Sequence, residues 1–365
     1  MEEKQIYKLA RKIIKAGELP IPVNKPIINL LKLLINEEQL NFLLKFRKPS
    51  YTYEQIKHKS GLDDKNLTEM LNTLMHIGMI TGIPSRRTGI MIYRLVGFLP
   101  GMLEFTLMRG EKGKKQKQIA KIWESFFKDL HKGTQRNYNQ VVAAFKNAPP
   151  FDRVVPVDEE IELFSEKVFP FEDVKKIIEK YDIIGVSHCY CRHLKDLLNE
   201  PCKLNAPRRN CLSFGRTAQF CIEHGFSEKI TKQEALKILQ EAEETGLVHK
   251  AIHNHSNPEL EEVGLCNCCK CCCGNFQNYY TGTSPTSTLT SYIVKLNRDL
   301  CLGCGTCVNI CPMEAIELNE SIASIDLKKC IGCGLCAYHC PEAALSLKRT
   351  GLRTVFVPPP KIKSE

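Results

Sequence analysis

The chain has 365 residues, 43% of them hydrophobic, more than one core usually organises, so two or three folded domains are expected. Its net charge of +10 is uneven: residues 1–150 hold 26 Lys and Arg against 13 Asp and Glu, and the remainder holds 25 against 28. No stretch reaches the roughly 18 apolar residues of a spanning helix, and the N-terminus lacks the apolar core and cleavage site of a secretory signal, which points to a cytoplasmic protein with no membrane span.

Ile6, Leu9, Ile13 and Ile14 recur near helical spacing over 4–16, and Gly17, Pro20, Pro22 and Pro26 then interrupt. Helices are predicted at about 37–46, 53–59 and 64–77, followed by two extended pieces, Met79 to Pro84 and Ile90 to Val96, around the turn Ser85-Arg86-Arg87-Thr88-Gly89. Three helices and a hairpin in this order resemble a winged helix-turn-helix domain, placed at 1–108. A basic helical connector is predicted over 109–150, with Ile119, Ile122, Trp123, Phe126, Phe127 and Leu130 on one side. The apolar run Val154 to Val157, a helix at about 171–181 and a strand from Ile183 to Ser187 open a Cys-rich α/β domain at 151–280. Within it Thr231 and Glu234 cap a helix that ends at Gly246. Thr281 to Ser287 reads as a polar linker, and 351–365, with its Pro358–Pro360 run, as a disordered tail. The fold class expected is α+β and multidomain.

All 19 cysteines lie between Cys189 and Cys340, and in a reducing compartment such density more often holds metal than disulfides. Cys301, Cys304, Cys307 and Cys311 follow C-x2-C-x2-C-x3-C before Pro312. Cys330, Cys333, Cys336 and Cys340 repeat the pattern before Pro341, each 29 residues on. This spacing resembles that of bacterial two-cluster ferredoxins, in which three close thiolates wrap one cubane and the fourth cysteine serves the other. The resemblance implies two [4Fe–4S] clusters in a module at 288–350, one on Cys301, Cys304, Cys307 and Cys340, the other on Cys330, Cys333, Cys336 and Cys311. Gly303, Gly305, Gly332 and Gly334 would let the backbone bend tightly around them. Zinc also takes four thiolates but pairs them two per loop, so it suits this pattern poorly.

A second cysteine region holds Cys189, Cys191, Cys202, Cys211, Cys221 and the run Cys266-Asn267-Cys268-Cys269-Lys270-Cys271-Cys272-Cys273. Adjacent residues of an extended chain face opposite sides, so this run cannot place every thiol on one cube. Without Cys221, the ten cysteines would serve one or more further iron–sulfur clusters; a metal-free redox thiol set and a zinc or storage site stay open. Cys189-Tyr190-Cys191-Arg192, Cys202, Cys211-Leu212-Ser213-Phe214-Gly215, Glu234-Ala235-Leu236, Gly246-Leu247-Val248-His249, the six-cysteine run and the dicluster module together resemble the 4Fe–4S-binding proteins of anaerobic bacteria and archaea. Cys221 lies outside that pattern and reads as a buried thiol, and Lys270 stands where a glycine is usual. His188, His193, His249, His253 and His255 lie nearby, with Asn254, and a lone histidine is more often structural than a ligand. Arg192, Arg208, Arg209 and Arg216 suit neutralisation of anionic clusters better than capture of an acidic substrate.

The function expected is electron transfer through the ferredoxin clusters to or from the central cysteine site, with a redox partner protein. Two alternatives are a redox-sensing transcription regulator and a reductase acting at the central site. DNA binding is disfavoured because the helix at 63–77 offers Asp63, Asp64 and Glu69 against one Lys65, with Arg86 and Arg87 in the hairpin only partly offsetting them. No nucleotide or flavin motif supplies an electron source within the chain.

Overall fold

The computed structural model describes residues 2–17, 21–150, 152–157, 173–253 and 262–362. Helix α1 (Glu3–Ala16) buries Ile6, Leu9 and Ile13. Helix α2 (Lys25–Leu34) then begins where the prolines had suggested an interruption: Asn24 accepts the Ile27 N–H, and Pro26 occupies the first turn, where no N–H partner is lost. Helix α3 (Glu37–Leu43), strand β1 (Ser50–Thr52), helices α4 (Tyr53–Ser60) and α5 (Asp64–His76), and strands β2 (Ile80–Pro84) and β3 (Met91–Leu95) follow. Reciprocal capping by Asn36 with Gln39 and by Thr52 with Gln55 sets the starts of α3 and α4. The three strands form an antiparallel sheet in the order β1-β3-β2. Helices α6 (Leu103–Leu107), α7 (Lys114–Arg136) and α8 (Tyr138–Asn147) come next.

Strand β4 (Asp152–Val155), helix α9 (Val174–Glu179), strand β5 (Ile184–His188), helix α10 (Tyr190–Leu197), strand β6 (Arg209–Phe214), helix α11 (Gly215–Glu223) and strand β7 (Glu228–Ile230) continue the chain. Helix α12 (Lys232–Glu244) starts at the Thr231–Glu234 capping box and is followed by strands β8 (Val248–His253) and β9 (Glu262–Cys268) and helix α13 (Gly274–Tyr280). Last come β10 (Thr286–Leu296), α14 (Thr306–Ile310), the hairpin β11 (Ile316–Asn319) and β12 (Ile322–Ile325), α15 (Leu335–Tyr338) and β13 (Leu345–Val357).

Two compact units result, and neither is continuous in sequence. The first comprises Met1–Lys128, Ser187–Glu200 and Arg216–Glu228. In it Trp123 and Phe126 of α7 close on Phe98 at 4.8 and 5.0 Å between ring centres, and Trp123 Nε1 donates to Thr106 at 3.1 Å. The segments 187–200 and 216–228, expected within a continuous central domain, belong here instead. Phe226 packs its ring 4.6 Å from Phe105 and lies under the Arg109 guanidinium at 3.9 Å, while Arg109 also donates to the carbonyls of His224 and Gly225.

The second unit comprises Asp129–Val186, Pro201–Gly215 and Lys229–Glu365. Among the described residues its main sheet runs β13-β10-β4-β8-β9-β6-β5-β7. Helices α9 and α12 supply Ile177, Ile178, Ala235 and Leu239 to a core with Val155, Leu212, Ala251 and Leu265. Of the stretch expected to be a linker, 281–285 does connect α13 to β10, and only Thr286 and Ser287 enter the strand, whose Thr286, Thr288 and Thr290 are buried. Their β-branched side chains suit a strand, and polarity alone had concealed it. The expected tail likewise differs: Gly351–Val357 completes β13 in antiparallel register with β10, and beyond it Tyr138 donates to the Pro359 carbonyl at 2.6 Å. The described part of the helix expected at 171–181 is α9.

Candidate metal centres

The loops between β10 and β13 build two cavities. Cys301, Cys304, Cys307 and Cys340 line one, and Cys311, Cys330, Cys333 and Cys336 line the other. The last cysteine of each run thus lies with the first three of the other. Gly303 and Gly332 hold φ of 67° and 64°, and a Cβ on them would fall 2.0 Å from the Ser321 carbonyl and 2.2 Å from that of Tyr292. Only glycine permits both that conformation and that approach. The amides of Ala323, Ala315 and Ala344 donate to the sulfurs of Cys301, Cys311 and Cys340 at 3.5, 3.3 and 3.3 Å. The cavities differ in depth: Cys304 is exposed, while Cys333 and Cys336 are buried. Burial pushes the Cys333 and Cys336 thiols above their ordinary pKa, whereas the bond with Thr306 holds Cys304 below it.

The six-cysteine run divides according to strand geometry. Cys266 and Cys268 pair with Lys250 and Val248 of β8 and share one face of β9, and Asn267 turns to the other. There the Asn267 side chain meets His249 Nδ1 at 2.6 Å and donates to the Asn210 carbonyl at 2.7 Å, while His249 Nε2 lies 3.1 Å from Glu243. This buried network ties β6, β8, β9 and α12 together, so His249 and Asn267 serve the scaffold. Beyond β9 the chain turns, and Cys269, Cys271 and Cys272 converge on Cys202, all four sulfurs lying within 4.8 Å of one another. Cys268 instead bonds Cys266 and Cys273, and those bonds, with burial, raise its pKa.

Beside that second group lies a residue pair the sequence reading did not single out. Lys250 Nζ sits 3.0 Å from Asp152 and 5.2 Å from the Phe276 ring, and Asn275 and Thr288 also donate to Asp152. Burial alone would lower the Lys250 pKa, but Asp152, Cys268 and Cys273 outweigh it and leave the ammonium raised. The available signal was a lysine in β8 set among the apolar Val248, Ala251 and Ile252. Lys270, within the cysteine run, reaches Glu314 at 2.8 Å and lies over the Tyr280 ring, whose hydroxyl donates to the Pro312 carbonyl. The run and the ferredoxin loops are therefore joined directly.

Cys189 precedes α10 and Cys191 lies on it, in the first unit; Cys202, Cys211 and the six-cysteine run belong to the second. Cys221 is buried on α11 and burial pushes its thiol up to about 12, with Ser227 partly opposing. His193 meets the Glu111 carbonyl at 2.8 Å and His253 meets Arg153 at 2.9 Å; His255 and Asn254 lie outside the described residues. Arg192 is fully buried, Arg208 and Arg216 donate to the carbonyls of Ala206 and Pro84, and Arg209 is exposed.

Residues 293–341 match the model of a 4Fe-4S dicluster domain. The chain carries a ferredoxin-type 4Fe–4S domain. Over 35 residues it is 54% identical to a protein named "Probable ferredoxin" from Methanosarcina thermophila, a match covering 9% of this chain and 60% of that relative, less than two thirds of its length. No solved structure matches the chain. The donor set fits the group that this domain implies: two cavities with four thiols each, and amides aimed at the sulfurs, are the surroundings iron–sulfur clusters take. No disulfide joins any of the cysteines. Among the described residues, no helix is long and apolar enough to cross a membrane.

Proposed function

We propose that this chain is a cytoplasmic iron–sulfur electron-transfer protein, a subunit or auxiliary of an anaerobic redox system, that exchanges electrons with a partner protein at its ferredoxin module. The observation that carries this reading is a single hydrophobic core containing Cys307, Cys311, Cys330, Cys333 and Cys336 together with Cys268 and Cys273. Part of the six-cysteine run thus shares one interior with the ferredoxin thiols. Cys301, Cys304, Cys307 and Cys340 would hold one [4Fe–4S] cluster, and Cys330, Cys333, Cys336 and Cys311 the other; when bound, such clusters supply one-electron redox chemistry.

The remaining residues explain direction and insulation. The cavity that includes Cys304 opens to the surface beside Leu302 and Leu318, which are 71% and 41% exposed. Apolar side chains rimming a redox site suit a transient protein partner. The second cavity is lined by the buried apolar side chains Val294, Leu347 and Ile331. Lys250 offsets negative charge on Cys268 and Cys273, which with Cys266 and Cys211 of the same unit are the candidates for a further iron–sulfur cluster.

Anaerobic purification with iron and sulfide quantitation, and EPR of oxidised and reduced samples, tests this. About eight irons with a reducible signal are expected from the module, and more if a further cluster is present. A chain purified without reducible iron would overturn the reading. Leu302→Glu should slow reduction by a partner without changing iron content.

The N-terminal element order and the β1-β3-β2 sheet support the winged-helix reading of that region. A protein partner suits it better than DNA. Asp63, Asp64 and Glu69 are exposed around α5, and Lys57 is engaged with Asp64 at 2.7 Å. Salt-dependent binding of duplex DNA by this protein would reverse that preference.

A further inference from the structure

We infer that Cys202, Cys269, Cys271 and Cys272 form a closed tetrahedral site for one zinc ion, separate from every iron–sulfur centre of the chain. The sulfur separations carry this. Cys202 lies 3.8 Å from Cys269 and 3.6 Å from Cys271, and Cys271 lies 3.7 Å from Cys272. Four thiolates at the ~2.3 Å of a zinc–sulfur bond, placed at tetrahedral corners, lie roughly 3.8 Å apart. Thiolates of a cubane sit on four different irons, and the inorganic core holds them much further from one another.

The same chain provides the contrast. No three of the ferredoxin cysteines bring their sulfurs within 4.8 Å of one another, and among the described residues only the Cys202 foursome does. A two-iron cluster would need two close pairs set apart, whereas here every pairing is close. The donor set is thiolate only, as in structural zinc sites, and leaves no position for water or substrate. Cys202, Cys269 and Cys272 are buried with Ala206, Ala242 and Leu247 around them, and the Lys203 amide donates to Cys271. Such an amide bond is the usual support of a metal-bound thiolate.

The site would fasten the loop before β6 to the turn after β9, two segments 67 residues apart. The ion is redox-inert, so the cysteine run is shared between two tasks. Cys269, Cys271 and Cys272 hold the turn, and Cys266, Cys268 and Cys273 remain on the Lys250 side of the strand. This inference stands independently of the electron-transfer reading.

The full chain, produced anaerobically with both zinc and iron supplied, should contain one zinc per molecule in addition to iron and sulfide. Zinc-edge X-ray absorption of that wild-type protein should report four sulfur neighbours at about 2.3 Å. Cys202→Ser and Cys271→Ser should each lose most of the zinc while keeping the ferredoxin iron and its EPR signal. Zinc far below one per chain in the wild type overturns the inference. So does iron at this site, alone or with sulfide, seen as iron that falls in Cys202→Ser. The wild-type absorption measurement decides the question even if both variants fold poorly.

Discussion

The Lys250 ammonium lies 3.0 Å from the Asp152 carboxylate, and both side chains are shut away from water. The contact joins neighbouring strands β8 and β4, and Asn275 and Thr288 complete the shell of Asp152. Removing one partner leaves a buried charge without compensation. Lys250→Met is expected to cost about 3–5 kcal/mol, and the double variant with Asp152→Asn less than the single one. Guanidinium unfolding midpoints at matched metal content check this.

Glycine at 332 is demanded twice, by conformation and by space. Gly332→Ala should deplete iron from the cavity of Cys311, Cys330, Cys333 and Cys336, because its Cβ would strike the Tyr292 carbonyl. Gly351 has a similar φ of 77° with nothing near a Cβ, so Gly351→Ala should cost only the left-handed penalty of about 1 kcal/mol and leave iron content unchanged. Equal iron in the two variants would contradict the steric argument.

Burial raises the pKa of Glu104, although the Gly101 amide donates to it at 2.6 Å and Tyr190 bonds it. A carboxyl raised in the folded state binds its proton more tightly there than in the unfolded chain. Its contribution is complete below the unfolded value of about 4.3 and is lost as pH rises through the folded value. The stability of the wild type should therefore fall relative to Glu104→Gln across that window. Urea midpoints of both proteins from acid to neutral pH measure the difference.

Lys270 and Glu314 are both partly exposed, so their ion pair should stabilise the fold by no more than about 1 kcal/mol in a double-mutant cycle, and by less in high salt. Its electrostatic effect is more telling. Lys270 lowers the Cys311 pKa, opposing the dominant effect of burial, and so favours negative charge there. Lys270→Ala should shift the potential of the nearer cluster downward in an EPR-monitored redox titration. An upward shift would contradict this assignment of charge.

Cys221 is expected to be dispensable for metal. Cys221→Ala should leave iron, sulfide and zinc at wild-type levels and cost stability only through the lost packing of a small buried side chain. Loss of any metal would move Cys221 among the ligands.

The sequence alone was decisive wherever chemistry depends on near neighbours. Three cysteines at two-residue intervals must lie together on one loop, so the ferredoxin motif could be read directly. The cap of α12 by Thr231 and Glu234 is equally local. Pro26 misled because one residue type both ends helices and begins them. Thr286, at the end of the expected linker, misled because a polar β-branched residue suits a buried strand as well as a linker.

What only the tertiary structure decided are the encounters between distant segments. Spacing within Cys266 to Cys273 cannot tell which thiols share a site, since the partner of three of them, Cys202, is brought in by the packing of a remote loop. Asp152 and Lys250 are 98 residues apart, and nothing local to either marks the other. Residues 216–228 likewise join the first unit through aromatic packing on Phe105, and 187–200 through hydrogen bonds of His188 and His193 to the Met108 and Glu111 carbonyls, and no sequence period records either. Local geometry is encoded by bond lengths and side-chain period; shared burial depends on the whole chain folding at once.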